Sequence, residues 1–143
     1  MTPEQIELVR QSFGTLLPVA DDAGDVFFRR LFDIAPEVRP LFPDDMKMQA
    51  HKFMAAMLFI VRGLDAYDDI APNLGDLARR HVAFGVNDTH YPVFREALMW
   101  MLEQGLADEW TPEVAEAWRL AYHRVARTMI TAARVARAAT ATN

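Results

Sequence analysis

The chain contains four histidines, the side chains that most readily bind a transition metal in a protein without cysteine. They are His51, His81, His90 and His123, and no two of them lie three to five residues apart. A zinc or di-iron site on a helix needs ligands at that spacing, so these histidines form no such paired set. The absence of cysteine excludes disulfides, thiolate zinc sites, iron–sulfur clusters and cysteine nucleophiles.

The other side chains that could bind a metal ion are three pairs of adjacent aspartates, at 21–22, 44–45 and 68–69. None has the alternating oxygen ligands, central glycine and distant glutamate of a calcium loop. All three lie near predicted helix starts, where helix capping explains them. The chain also has no glycine-rich phosphate loop and no nucleophile elbow, so catalysis by side chains alone has little support.

His81 lies on an apolar helical stripe with Leu74, Leu77 and Ala78, at spacings of three and four residues. A histidine that faces inward is normally a hydrogen-bonded core residue, and that is one interpretation of His81. The other is iron ligation, because one imidazole suffices when a haem supplies four ring nitrogens between apolar helices.

Phenylalanine is abundant on or near the inward faces of the predicted helices. A haem pocket needs aromatic and aliphatic walls, and this aromatic area exceeds what an ordinary helical core of this size requires, although plain core packing is the alternative. The residues are Phe27, Phe28, Phe32, Phe42, Phe53, Phe59, Phe84 and Phe94.

The length and composition are those of one folded domain, taken as residues 1–143. The chain has 143 residues, 52% of them hydrophobic and 24% charged, which is typical of a globular protein. Its net charge of −5 argues against nucleic acid as a partner. The longest apolar run, 53–61, is about half the length of a membrane-spanning helix. The acidic start of the chain is unlike a secretory signal, so we expect a cytoplasmic protein without membrane insertion.

Apolar residues recur at helical spacing almost throughout, which predicts an all-α protein. A capping box at 2–5 opens the first helix, which runs to about Leu17. Asp21 or Asp22 is expected to cap the second helix, which stops before Pro36. The remaining predicted elements are a proline-rich corner at 36–42, helices at about 45–64 and over 74–81, helices from Pro92 and Pro112, and an alanine-rich, frayed helical tail at about 132–143.

Four segments, in order and spacing, resemble the globin family over about residues 3–131. The resemblance is greatest to bacterial single-domain globins and to the haem domain of flavohaemoglobins. It implies the globin fold, with about six to eight helices around a haem pocket. The segments are 36–42, 77–86, 90–93, and Ala117-Trp118 with Tyr122.

The resemblance assigns roles to residues on both sides of a haem b group. His81 matches the proximal iron ligand, and His90, in the turn before Pro92, is the less favoured alternative. Phe42 matches the corner phenylalanine that stacks on the haem. Gln49 matches the distal residue that faces bound gas. The other matching positions are Phe53 and Phe28 in the distal wall and Val86, Tyr91, Phe94 and Leu98 on the proximal side and floor, with Lys52, Arg79 and Arg80 as the cations nearest the propionates.

A solvated helix face explains the three cations equally well. The other positions bear on the chemistry of the site. Phe28 stands where many bacterial globins carry tyrosine, so Gln49 is left as the only distal hydrogen-bond donor. On the proximal side Tyr91 is present, but the aligned residue of the last helix is Ala133, where flavohaemoglobins place a carboxylate. We therefore expect a weak electron push toward oxygen–oxygen cleavage. His51, two residues after Gln49, should point away from the iron.

The resemblance implies reversible binding of O2, and also of CO and NO, at a histidine-ligated iron. Nitric oxide dioxygenation is one activity that the resemblance implies, and it would need a separate reductase, because the chain has no flavin or nicotinamide site. Weak peroxidase-like activity is another. A gas or redox sensor that acts through a partner contact is the alternative function. A haem-free helical adaptor is a third alternative.

Overall fold

The structure is a computed structural model that describes residues 1–142, with side chains described through residue 139. Six α-helices and four short 3-10 turns account for nearly all of the described residues, and none of these forms a strand. The all-α prediction is therefore confirmed. The helices are α1 (Pro3–Leu16), α2 (Ala20–Ile34), α3 (Lys47–Arg62), α4 (Tyr67–Ala83), α5 (His90–Leu106) and α6 (Pro112–Thr142).

The helix boundaries follow local signals in the sequence. Thr2 caps α1 and its side chain accepts from the Gln5 backbone, while the Gln5 side chain accepts from Thr2 N, so the predicted capping box is confirmed. The corner is a 3-10 turn over Pro36–Leu41. Three predicted helix starts were wrong. Helix α2 begins at Ala20, so Asp21 and Asp22 lie in its first turn instead of capping it. There their charge still interacts favourably with the helix dipole. Helix α4 begins at Tyr67 instead of near Leu74, and α5 begins at His90 instead of Pro92.

The core consists of two clusters of buried side chains that share a border. The first lies among α1, α2, α3, α5 and the start of α6, and the second lies between α4 and the rest of α6. Leu41, Ile60 and Phe94 pack against both clusters. The corner also reaches the end of α4, since a Cβ built on Gly85 would lie 3.2 Å from Leu41 Cδ2.

Helix α6 is tied to the N-terminal half of the chain through a buried polar contact. The indole Nε1 of Trp118 donates to Ser12 Oγ at 2.8 Å, and both residues are buried.

Tyr67, at the start of α4, hydrogen-bonds to Thr128 Oγ1 of α6 at 2.6 Å. Further along, Gly75 lies beside Ala132, so α4 and α6 run in the same direction. This arrangement sets α4 against α6 along its length.

Gly24→Ala is expected to destabilise the protein by roughly 1 to 3 kcal/mol, the usual cost of overpacking. A Cβ at Gly24 would lie 2.9 Å from the backbone oxygen of Ala50, so α2 and α3 could not keep their present separation. The measurement is the free energy of unfolding in urea. Gly14→Ala is the matched control, because nothing lies within 4 Å of its added Cβ. In this helix interior we expect it to stabilise the protein by about 0.5 to 1 kcal/mol. Equal effects of the two substitutions would contradict the close helix crossing.

Candidate functional site

Five phenylalanines from α2, α3 and the corner form one aromatic cluster. The ring of Phe28 lies 5.4 Å from that of Phe42 and 5.6 Å from that of Phe53, both edge to face. Phe27 stacks on Phe53 at 4.1 Å, and Phe32 lies 5.5 Å from Phe42. Such edge-to-face and stacked pairs add stability beyond their buried area. The structure thus brings together Phe28, Phe42 and Phe53, the three aromatic residues predicted for the distal wall and the corner.

Helix α3 has one half-buried face and one exposed face beside this cluster. Gln49 and Phe53, one turn apart, are half-buried, whereas His51 and Lys52 are exposed. The His51 Nδ1 lies 3.5 Å from a carboxylate oxygen of Asp21 on α2. The His51 side chain thus lies on the outside of the helix, away from the face of Gln49, as the helical period predicted.

His81 is held in a defined orientation near the end of α4. Its Nδ1 lies 2.7 Å from the carbonyl oxygen of Leu77, one turn earlier. A carbonyl can only accept, so Nδ1 carries the proton and Nε2 keeps its lone pair. Burial lowers the pKa of His81 and outweighs the hydrogen bond to Leu77, which raises it, while the nearby Arg80 charge adds to the lowering. The net direction favours the neutral imidazole. A neutral ring with a free Nε2 lone pair is the form that binds iron.

The α5 residues predicted for the proximal side and floor are largely buried, and Val86 in the preceding connection is buried as well. Val86 is 7% exposed, Tyr91 6% and Leu98 4%, while Phe94 is half-buried with its ring 6.3 Å from that of Tyr91. Tyr122 of α6 donates its hydroxyl to the Tyr91 carbonyl at 2.5 Å. Burial raises the pKa of both tyrosines, so each keeps its proton at neutral pH.

Ala133 lies in the same buried cluster as Tyr91 and Val86, and it is 1% exposed. The side chain that α6 contributes to this cluster at that position is therefore a methyl group. A methyl group can neither accept a hydrogen bond from a tyrosine hydroxyl nor place a charge near His81.

His90, the alternative ligand, is engaged in a turn. It is the first residue of α5, and its Nδ1 accepts a hydrogen bond from the Asn87 backbone N–H at 3.0 Å. Asn87 in turn accepts from Thr89 through its side-chain oxygen. The ring of His90 thus helps to close the connection from α4 to α5, a structural role that explains its presence.

The three cations predicted near the propionates all lie on the surface. Arg79 pairs with Asp76 one turn earlier on α4. Arg80 and Lys52 are exposed. Arg79 thus forms an ion pair with Asp76. The side chains of Arg80 and Lys52 extend into solvent.

Two features of the described residues bear on other classes of function. Within residues 1–142, no group of three or more histidine, aspartate or glutamate side chains is placed to hold a metal ion. No helix in this part of the chain is long and apolar enough to cross a membrane.

Comparison with known proteins identifies the class. The globin family model matches residues 25–129. A protein named anaerobic nitrite reductase GLB0, from Physcomitrium patens, is 31% identical over 141 residues, which cover 86% of this chain and 77% of that protein. A flavohemoprotein of Deinococcus radiodurans is 28% identical over 133 residues, covering 91% of this chain but 33% of its own length. A solved structure from Rhodothermus marinus, an engineered carbene transferase described as a putative nitric oxide dioxygenase, has 26% identity, a TM-score of 0.89 and 99% coverage of both chains.

The chain therefore belongs to the globin family, and the observed arrangement of helices is the globin fold. The resemblance noted in the sequence is confirmed, including its relation to bacterial globins and flavohaemoproteins. Membership of this family implies haem binding. The site fits that group, because His81 offers a neutral imidazole with a free Nε2 lone pair and the Phe28 cluster offers an apolar wall.

Sequence reasoning did not find the residues of α6 that hold the connection between α4 and α5. Arg134 and Arg137 both contact Asp88, although the sequence placed them in an alanine-rich tail. The available signal was weak. Two arginines three residues apart share one face of a helix, but their partner lies about 46 to 49 positions earlier.

Proposed function

We propose that this globin would hold haem b through the His81 imidazole as the iron ligand, and that it binds O2, and also CO and NO, reversibly with Gln49 facing the gas. The observation that carries the proposal is the Nδ1 hydrogen bond of His81 to Leu77, which fixes the tautomer and directs the Nε2 lone pair away from its own helix. When bound, the haem supplies the iron at which a diatomic gas coordinates.

The side chains of this chain then have distinct tasks. Leu77 orients the His81 ring through its carbonyl, and the aromatic cluster around Phe28 excludes water from the gas side. Gln49, with an amide N–H to donate, stabilises a partly negative ligand. Phe28 offers no hydroxyl, so that stabilisation rests on one residue.

We extend the proposal to nitric oxide dioxygenation, the oxidation of NO to nitrate by O2, carried out in the cytoplasm. One similar solved structure supports this reaction by name, because it is described as a putative nitric oxide dioxygenase. Each turnover requires an electron. The sequence carries no flavin or nicotinamide motif, so a separate reductase is the donor we propose.

Reversible gas binding is tested by absorption spectroscopy of the haem-loaded ferrous protein through repeated cycles of oxygen and argon. We expect an oxygen-bound spectrum that forms and disappears over several cycles, with little ferric protein accumulating. Carbon monoxide should shift the same ferrous spectrum. Complete oxidation to the ferric form in the first cycle would contradict oxygen carriage.

A further inference from the structure

The connection between α4 and α5, residues 84–89, is attached to α6 by two arginines. Asp88 accepts from Arg137 Nη1 at 3.1 Å through one carboxylate oxygen and from Arg134 Nε at 3.1 Å through the other. Arg137 also donates from Nη2 to the backbone carbonyl of Val86 at 3.0 Å. One guanidinium thus spans a side chain and a main-chain carbonyl of the same connection.

The backbone of Val86 links this contact to His81. The Val86 N–H donates to the His81 carbonyl at 3.0 Å, and the Val86 side chain is buried in the cluster that contains Met129 and Ala133 of α6. Residue 86 is therefore fixed from three directions, by Arg137, by the end of α4 and by packing. Gly85, with φ of 96°, allows the chain to turn back in this way.

We propose that Arg137 is a positioning residue that fixes the end of α4, and with it the His81 imidazole, relative to α6. This inference rests on the proposed function, in which His81 is the axial ligand. Helix α6 packs against α4. The contacts of Arg137 with Asp88 and Val86, just after α4, therefore set the position of the proposed iron ligand relative to α6.

The geometry distinguishes Arg137 from Arg134. The side chain of Arg137 is 34% exposed and touches both Asp88 and Val86, whereas that of Arg134 is 69% exposed and touches Asp88. The planar guanidinium presents two N–H groups in a fixed fork, which suits two acceptors at once. Exposed ion pairs of this kind contribute little to global stability, so loss of Arg137 should act locally.

The test compares Arg137→Ala, Arg137→Lys, Arg134→Ala and Arg127→Ala in the haem-loaded protein. Arg127 is the matched control, an exposed arginine on the same helix. The first readout is hydrogen exchange of residues 84–90, the second is the iron–histidine stretching band of the gas-free ferrous form by resonance Raman, and the third is the rate of haem loss. For Arg137→Ala we expect faster exchange, a shifted or broadened band, and haem loss faster by roughly tenfold, the lower end of the effect of removing groups that orient metal ligands.

The other variants separate a positioning role from a structural one. Arg137→Lys should restore the band in part, and Arg134→Ala should change it less than Arg137→Ala. Ser12→Ala removes the hydrogen bond that Trp118 donates to Ser12, which is not part of the α4–α5 connection. It serves as a control variant of lowered stability. The proposal is overturned if Arg137→Ala changes the band and the rate of haem loss no more than Ser12→Ala or Arg127→Ala does. A wild-type protein without an iron–histidine band would instead overturn the proposed function, and the positioning role with it.

Discussion

His81→Gly is expected to abolish the histidine-ligated ferrous spectrum, and added imidazole is expected to restore it. In the wild type the ring is held by Leu77 with its Nε2 lone pair free, so removal of the ring takes away the proposed iron ligand and leaves a space of its shape. A free imidazole can enter that space and bind the iron without the backbone link. The measurement is a series of absorption spectra of the haem-loaded ferrous variant, with and without CO, at increasing imidazole concentration.

His90→Ala and His51→Ala are the matched controls. His90 closes the turn with Asn87, and His51 pairs with Asp21 on the outside of α3, so neither substitution should change the ferrous spectrum. If His90→Ala lost the wild-type spectrum and His81→Gly kept it, His90 and not His81 would be the iron ligand.

Phe28→Tyr is expected to slow oxygen release by about 10- to 100-fold. A hydrogen bond to a partly charged ligand contributes roughly 1.5 to 3 kcal/mol, and 1.4 kcal/mol corresponds to a factor of ten. Phe28 is 5% exposed and lies among Phe42, Phe53 and Phe27, where few competing polar groups would accept from a new hydroxyl. The measurement is the oxygen dissociation rate by stopped flow.

Phe32→Tyr is the control for the hydroxyl itself. Phe32 belongs to the same aromatic cluster but is half-buried, one turn further along α2, and its ring faces Arg39 at 5.0 Å. A new hydroxyl there should leave the oxygen dissociation rate unchanged. Equal rates in wild type and Phe28→Tyr would show that position 28 does not face the gas.

Helical periodicity predicted most of the fold because the helices carry local signals. The capping box at Thr2 and the prolines at 36 and 112 all mark boundaries that the structure has. The two boundaries missed by the most residues or for lack of a cap are those without such a signal. Helix α2 begins at Ala20 with no side-chain cap, and α4 begins at Tyr67, seven residues before the apolar stripe that predicted it.

The candidate site was predicted from two kinds of information. Periodicity placed His81 on an inward face, and the resemblance to globins assigned its role and those of Phe42 and Gln49. The structure adds contacts that no local pattern contains, such as the carbonyl of Leu77 on the His81 ring and the hydroxyl of Tyr122 on the Tyr91 carbonyl.

The contact of Arg137 on α6 with Val86 shows why the other features of the site could not be predicted from the sequence. Arg137 meets Val86 only because α4 and α6 pack side by side in the same direction, which is a property of the tertiary fold. In the sequence alone, an arginine in an alanine-rich tail is most simply a solvated residue of a frayed helix.

The resonance Raman and absorption spectra of the gas-free ferrous wild-type protein would show whether His81 binds the iron. We expect a five-coordinate, high-spin spectrum with an iron–nitrogen stretching band that shifts when the protein is labelled with [15N]histidine, because we propose His81 as the iron ligand. A low-spin, six-coordinate spectrum that disappears in His51→Ala would show that α3 turns His51 toward the iron. That result would contradict both the orientation of α3 and the gas-binding side proposed for Gln49.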